Sequence, residues 1–237
     1  DLGVFRTDRD VLEHNPDLVF VEFAVNDAKT DSLVICNSME GIVCKIRRHN
    51  PGTEICFLYT LHMPMLEDLE AGRTYRSVRY MEQIAEYYGI STVDFSKDVM
   101  SLLKNGKLVF KGEKNEDYGS RIVFTNDGTH PTTEGGHVIY TKTLSTAFMR
   151  LSEHKVCTNN NLPPPLYPDN YEKAKMIPAM QFPHTGGWRI IPEDDKAFQY
   201  FQGSPDVLPV AIVSSDCDDA ITIRFRGTRA GVFDIIG

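Results

Sequence analysis

The chain has 237 residues, 41% hydrophobic and 24% charged, the balance of a folded globular protein large enough for one substantial core and part of a second. A net charge of −8 argues against a basic face for nucleic acid or an anionic membrane surface, and no run of about 18 apolar residues is present to cross a bilayer. Five cysteines (Cys36, Cys44, Cys56, Cys157 and Cys217) form no CxxC pair, so neither a metal site nor a disulfide framework is expected, and the thiols lean towards a reducing, cytoplasmic compartment.

A helix is predicted from residue 4 to 14. Residues 17–25 then form a nearly continuous β-branched and aromatic run, the pattern of a parallel strand buried on both faces. Helical spacing of Ile35, Met39, Ile42, Val43 and Ile46 predicts a helix over 32–49, closed by Asn50-Pro51-Gly52. A second strand is expected over 55–60. Val78, Met81, Ala85 and Tyr88 share one stripe of a helix over 73–88, which Gly89 stops. A third strand over 90–95, a short helix over 97–104 and a long helix over 133–153 complete an alternation that indicates a parallel α/β domain.

The pattern changes near residue 155. The run Asn159-Asn160-Asn161-Leu162-Pro163-Pro164-Pro165 has the composition of a connector. Beyond it, strands are expected over 207–214, 220–225 and 232–236, with one short helical stretch at 171–175. Residue 1 is Asp1, and residues 231–237 read as a strand interrupted before its turn. Both ends are therefore expected to be cut ends, where no signal segment could be seen.

Two places combine reactive side chains with a suitable address. Asn26-Asp27 ends the first strand, and ligands of open parallel sheets bind beyond the carboxyl ends of strands. An asparagine there can aim its N–H at a developing oxyanion; the pair also reads as a plain turn. Asp127-Gly128-Thr129-His130-Pro131 precedes the last long helix. Its spacing lets the carboxylate reach one imidazole nitrogen and leaves the other as a general base, although an Asx turn with a solvated histidine fits too. In that second reading Thr132 or Thr133 caps the helix.

Taken together, residues 17–27 and 127–131 resemble the third and fifth sequence blocks of the SGNH, or GDSL, hydrolase superfamily, over roughly residues 1–150. The resemblance implies Asn26 as the oxyanion-hole asparagine, Asp127 as the triad acid and His130 as the triad base, with Asp27 structural. Ala24 stands where the family often has glycine, a change expected only to tighten the backbone. A larger departure is the nucleophile. The family carries it in a Gly-Asp-Ser block well before the asparagine, whereas the 25 residues before Asn26 hold no serine. Neither Gly-Asp-Ser nor Gly-x-Ser-x-Gly occurs anywhere in the chain. Gly3 is too close to Asn26 to serve as the family's second oxyanion donor.

The implied fold is a three-layer α/β/α (flavodoxin-like) domain over residues 1–154, N-terminally truncated. A connector over 155–168 and a β-sandwich-like module over 169–237, C-terminally truncated, follow it. The implied function is a serine ester hydrolase that needs no metal or organic cofactor. Residues 221–228 are similar to strands of galactose-binding-like domains, which points to a carbohydrate ester or another small-molecule ester as substrate. Two alternatives stand beside this: a non-catalytic carbohydrate-binding protein on a relic scaffold, and a lipase or lysophospholipase. Without a serine the isolated chain is expected to be inactive, and an uncovered apolar strand edge would make it prone to aggregate.

Other residues are weaker candidates. His62, after the second strand, could line the substrate pocket or be a loop histidine. Tyr118 and Arg121 precede the Asp/His block and could touch substrate, while His137 fits a surface or packing role. Asp216, Asp218 and Asp219 read as a solvated turn rather than a calcium loop. Trp188 could stack on a sugar or sit in a core.

Overall fold

The computed structural model describes residues 2–152, 162–192 and 210–232, which fall into two compact units parting between Lys175 and Met176. The first unit runs α1 (Leu2–Asp10), β1 (Leu18–Glu22), α2 (Ser32–His49), β2 (Glu54–Tyr59), α3 (Leu66–Glu70), α4 (Arg76–Tyr88), β3 (Ser91–Asp94), α5 (Ser96–Lys104), β4 (Leu108–Lys111), β5 (Ile122–Thr125) and α6 (Gly136–Ser152). Strands β1, β2 and β3 lie side by side in that order, all parallel, and β4 pairs with β5, also parallel. The fold is thus mixed α/β with parallel sheets. Its expected alternation is present; the four-residue strands β4 and β5 and the one-turn α3 are additions to it.

Local chemistry explains the element ends. Asp31 caps α2 by accepting hydrogen bonds from the backbone N–H groups of Leu33 and Val34, and Arg47, Arg48 and His49 stand in the last turn, where the helix dipole favours cations. Gly89 closes α4 at φ 62°, a left-handed conformation that costs glycine little. Alternation along β2 sends Ile55, Phe57 and Tyr59 into one apolar cluster with Ile35, Met39 and Ile84. Cys56, between them, joins a second cluster with Val93, Val99, Phe124 and Ile139.

Two features depart from the sequence reading. Strand β1 was expected to be buried on both faces, yet Leu18 and Phe20 are exposed while Val19 and Val21 are buried. On that exposed face Phe20 meets the ring of Phe148 from α6, centroids 5.6 Å apart. Helix α2 differs in the opposite sense: the stripe predicted one buried face, but every residue from Ile35 to Ile46 is buried.

The cause of the second difference is the stretch 162–175, which packs with the first unit. Glu40, fully buried in α2, accepts hydrogen bonds from the backbone N–H groups of Leu166 (2.6 Å) and Tyr167 (2.8 Å) and from the Tyr88 hydroxyl (2.7 Å). The Asn170 amide adds a fourth at 3.3 Å. Beside it, a Cβ at Gly41 would lie 2.8 Å from the Tyr171 backbone carbonyl carbon, so glycine is what permits this approach. Residues 162–168 of the expected connector are therefore docked on α2; residues 155–161 lie outside the described residues.

The second unit contains two antiparallel pairs. β6 (His184–Thr185) pairs with β9 (Ala220–Ile221), and β7 (Arg189–Pro192) pairs with β8 (Val210–Val213). Of the strand expected over 207–214, residues 210–213 form β8 and residues 207–209 lie outside the described residues; the strand expected over 220–225 appears only at 220–221. Nearly all of the strand expected over 232–236 lies outside the described residues.

Glu40→Ala removes the acceptor of the buried Tyr88 hydroxyl and of the Leu166 and Tyr167 backbone N–H groups, and leaves a cavity. It is expected to lower stability by about 3–5 kcal/mol. Urea unfolding measures this, and faster proteolysis within 162–175 should accompany it.

Candidate active site

The loop after β5 is organised by one carboxylate. Asp127 Oδ1 accepts hydrogen bonds from the backbone N–H of Thr129 (2.8 Å) and of His130 (2.8 Å) and from the Thr125 hydroxyl (3.0 Å). Its Oδ2 is left for His130 Nδ1, at 2.6 Å. Thr125, fully buried at the end of β5, also accepts from the backbone N–H groups of Asp127 and Gly128. Gly128 adopts φ +89°, a conformation that an L side chain rarely takes.

Beyond His130 the chain folds back along β5. Thr132 N–H donates to the Phe124 carbonyl, and the Thr132 hydroxyl to the Val123 carbonyl. That same hydroxyl oxygen accepts from Gly135 and Gly136 N–H, so Thr132 caps α6. A Cβ at Gly135 would sit 2.2 Å from the Val123 carbonyl oxygen, and one at Gly136 2.6 Å from that of Phe124. These two glycines let the helix start tightly against β5, and that fixes where the His130 loop emerges.

His130 is open to solvent, with its side chain 83% exposed, and its second ring nitrogen makes no hydrogen bond among the described residues. The contact with His130, aided by the backbone N–H groups of His130 and Thr129, holds the Asp127 carboxyl below the ordinary carboxylate range. An ionised carboxylate on Nδ1 fixes the imidazole tautomer and leaves the other nitrogen to take a proton.

Asn26 and His62 stand at the carboxyl ends of the adjacent parallel strands β1 and β2. Asn26 is exposed. Asp27 is buried and accepts from the Thr30 hydroxyl at 3.1 Å. The turn is pinned by the start of α4: the buried Ser77 hydroxyl donates to the Ala24 carbonyl (2.6 Å), and Arg76 donates to the Thr30 carbonyl (2.6 Å). Glu22 adds a tie by accepting from Ala24 N–H and from the Thr60 hydroxyl. Sequence reasoning missed Ser77, Arg76 and Glu22, because no local pattern distinguishes them from surface residues of a helix or strand end.

His62 connects the two halves. Burial, with the nearby Lys29 ammonium, pushes its imidazole below the ordinary histidine value, and its buried Nε2 has no hydrogen-bond partner among the described residues. The next residue, Met63, donates its N–H to the Gly128 carbonyl at 2.7 Å. The turn after β1, the segment after β2 and the Asp127–His130 loop are thus joined at the carboxyl ends of the strands. Only Asp127 and His130 are in direct side-chain contact; Asn26 makes no side-chain hydrogen bond among the described residues.

The other candidates separate. Tyr118 and Arg121 line a groove of about 460 Å³ with Asn126 and Thr132, beside the Asp/His loop, and the Arg121 guanidinium lies 5.5 Å from the Tyr118 ring centre. His137 is exposed on α6. In the second unit Asp219 accepts from Gly187 N–H and from the Ser214 hydroxyl, while Asp216 accepts from Asp218 N–H. Trp188 is half-buried, with a buried indole N–H that has no hydrogen-bond partner among the described residues. Cys36, Cys44, Cys56 and Cys217 are free thiols; Cys157 lies outside the described residues.

Two outcomes follow from this geometry. Carbon-detected titration should find Asp127 still ionised well below the ordinary aspartate value of about 3.9, and His130→Ala should move it upward. Because the folded-state value is depressed, the contact's contribution to stability is complete above about pH 4 and is lost as pH falls through the folded value. Ser77→Ala should cost about 1–2 kcal/mol in urea unfolding and loosen the 24–30 turn, seen as faster amide exchange.

Comparison with known proteins gives a consistent family. The model of the GDSL-like lipase/acylhydrolase family matches residues 2–138. A two-domain esterase (CEX) active on acetylated mannans, crystallised with mannopentaose, superposes with a TM-score of 0.54 at 19% identity over 82% of this chain and 42% of its own. A second structure of a two-domain esterase (CEX) active on acetylated mannans gives 0.54 at 20% identity over 71% and 40%. At these identities the superpositions establish likeness of fold, and the chain spans about two fifths of the length of those structures. No curated protein matches the chain. With the family model covering more than half of its length, the chain belongs to the GDSL-like lipase/acylhydrolase family.

Proposed function

We propose that this chain contributes the acid, the base and one oxyanion donor of a serine ester hydrolase acting on acylated carbohydrate. The observation that carries the reading is the 2.6 Å contact between Asp127 Oδ2 and His130 Nδ1, made by a carboxylate whose other oxygen is committed to the loop backbone. In the mechanism, a serine oxygen attacks the ester carbonyl carbon while His130 Nε2 takes the hydroxyl proton, and Asp127 steadies the imidazolium. Asn26 donates to the oxyanion. Collapse expels the sugar alkoxide, which takes the proton from His130 and leaves an acyl-serine. Water then repeats the cycle, releasing the acid and restoring serine.

The finer parts of the fold belong to the same reading: a three-layer α/β/α domain, followed by a β-sandwich-like module that aids carbohydrate binding. Supporting the layers, alternate residues of β2 enter separate apolar clusters, one with α2 and α4 and the other with α5 and α6. Supporting the substrate class, the two-domain esterases of similar fold act on acetylated mannans. The 237 residues contain no Gly-Asp-Ser or Gly-x-Ser-x-Gly sequence to supply the nucleophile, so this chain by itself is expected to turn over no ester.

Acetate release from acetylated mannan by the natural full-length protein tests the reading. His130→Ala and Asp127→Asn should lower kcat by about 10³-fold or more, and Asn26→Ala by about 10²–10³-fold. Undiminished turnover in His130→Ala defeats the assignment. Ester hydrolysis by the isolated chain that disappears with His130→Ala defeats only the expectation of inactivity.

A further inference from the structure

A cavity of about 590 Å³, within the range usual for small-ligand sites, opens between the carboxyl ends of β2 and β3, the 65–78 segment and α5. It is distinct from the groove at Tyr118 and contains none of Asn26, Asp127 or His130. It nevertheless shares a wall with the site. Thr60 and Leu61 line it, and two residues further on the Met63 N–H is bonded to the Gly128 carbonyl in the Asp/His loop. Tyr75 lines the cavity too and meets the His62 ring edge-on, centroids 6.3 Å apart.

The charge of this cavity runs against that of the molecule. In a chain of net charge −8, its lining holds three cations, Arg73, Lys97 and Lys104, against one carboxylate, Asp94. Asp94 Oδ1 is already engaged, accepting from the Ser96 N–H and hydroxyl, and Arg73 is paired with Asp68 outside the lining. Lys97 and Lys104 form no ion pair among the described residues. They are exposed and lie two turns apart on α5, about 10 Å along the helix axis.

The lining also holds the hydroxyls of Thr74 and Ser101, the Tyr75 ring and Asn105, whose amide N–H donates to the Ser101 carbonyl at 2.8 Å and leaves its side-chain oxygen to accept. Hydroxyls and an amide oxygen in a cavity with an aromatic ring suit a sugar. Two unpaired lysines whose positions lie about 10 Å apart along the helix suit carboxylates on alternate units of a sugar chain.

We propose that this cavity binds an acidic oligosaccharide, a sugar chain bearing carboxylate groups, with Lys97 and Lys104 as the residues that select it. Its link to ester hydrolysis rests on the function proposed above, as a subsite for acidic units of an acylated carbohydrate; the neutral mannan that assays the chemistry does not require it. Binding itself does not depend on that chemistry.

The test is calorimetric titration of this chain with non-esterified trigalacturonate, in which no hydrolysis can occur. Binding is expected at low salt. It should fall about tenfold or more in the Lys97→Ala/Lys104→Ala double variant, whose positions are exposed, and be unchanged in Lys142→Ala, outside the cavity. It should also weaken as salt approaches about 1 M, where the screening length is about 3 Å. Three results would overturn the proposal: no trigalacturonate binding, mannotriose or octanoate binding as tightly, or a double variant that binds undiminished. A catalytic failure in the acetate assay would leave this titration unchanged, so the two readings fail separately.

Discussion

The Asp127 carboxylate is divided between two tasks, and the arrangement of the site depends on that division. One oxygen gathers two backbone N–H groups and the Thr125 hydroxyl, which fixes the loop; the other faces His130 Nδ1. A carboxylate that accepts several donors is held ionised, and an ionised partner favours the imidazole tautomer with a free outer nitrogen. In this loop the Asp-x-x-His spacing lets one carboxylate make both sets of bonds, to the backbone N–H groups of Thr129 and His130 and to the imidazole.

The loop is held in place by contacts remote in sequence. Met63 ties the segment after β2 to Gly128, the Tyr140 hydroxyl of α6 accepts from Leu61 N–H, and Ser77 with Arg76 pins the turn that carries Asn26. Each is a single hydrogen bond of modest worth, about 1 kcal/mol. Their effect is positional: three turns from separate parts of the chain end up together beyond the strand ends. The buried Glu40 does similar work on the other side of α2, where four donors converge on one side chain and the 162–175 stretch is held down.

The electrostatics of the first unit are uneven in a way that total charge conceals. The cavity beside α5 collects cations although the whole chain is acidic, and burial, joined by the Lys29 ammonium, holds His62 below the ordinary histidine value near the Asn26 turn. Concave surfaces concentrate such fields, since low-dielectric walls focus them. Net charge argued against an anionic polymer spread across the surface; a local cationic pocket for a short acidic segment is compatible with it.

The sequence by itself determined the alternation of long elements, because α2, α4 and α6 are long enough for helical spacing to show and β1 and β2 are continuous apolar runs. It also determined the residue types and order at Asn26 and at Asp127 to His130, since that chemistry is set by local spacing. The four-residue strands β4 and β5 stayed hidden because they sit among charged and glycine residues, whereas the equally short β3 follows the Gly89 stop of α4. Only the tertiary structure decided that Leu18 and Phe20 of β1 are exposed and that α2 is buried all round. Both depend on what lies against an element rather than on its own pattern. Tertiary structure likewise decided the roles of Glu40, Ser77, Glu22 and the α5 lysines. Their neighbours come from distant segments, and a hydrogen bond or a pocket exists only once those segments are brought together.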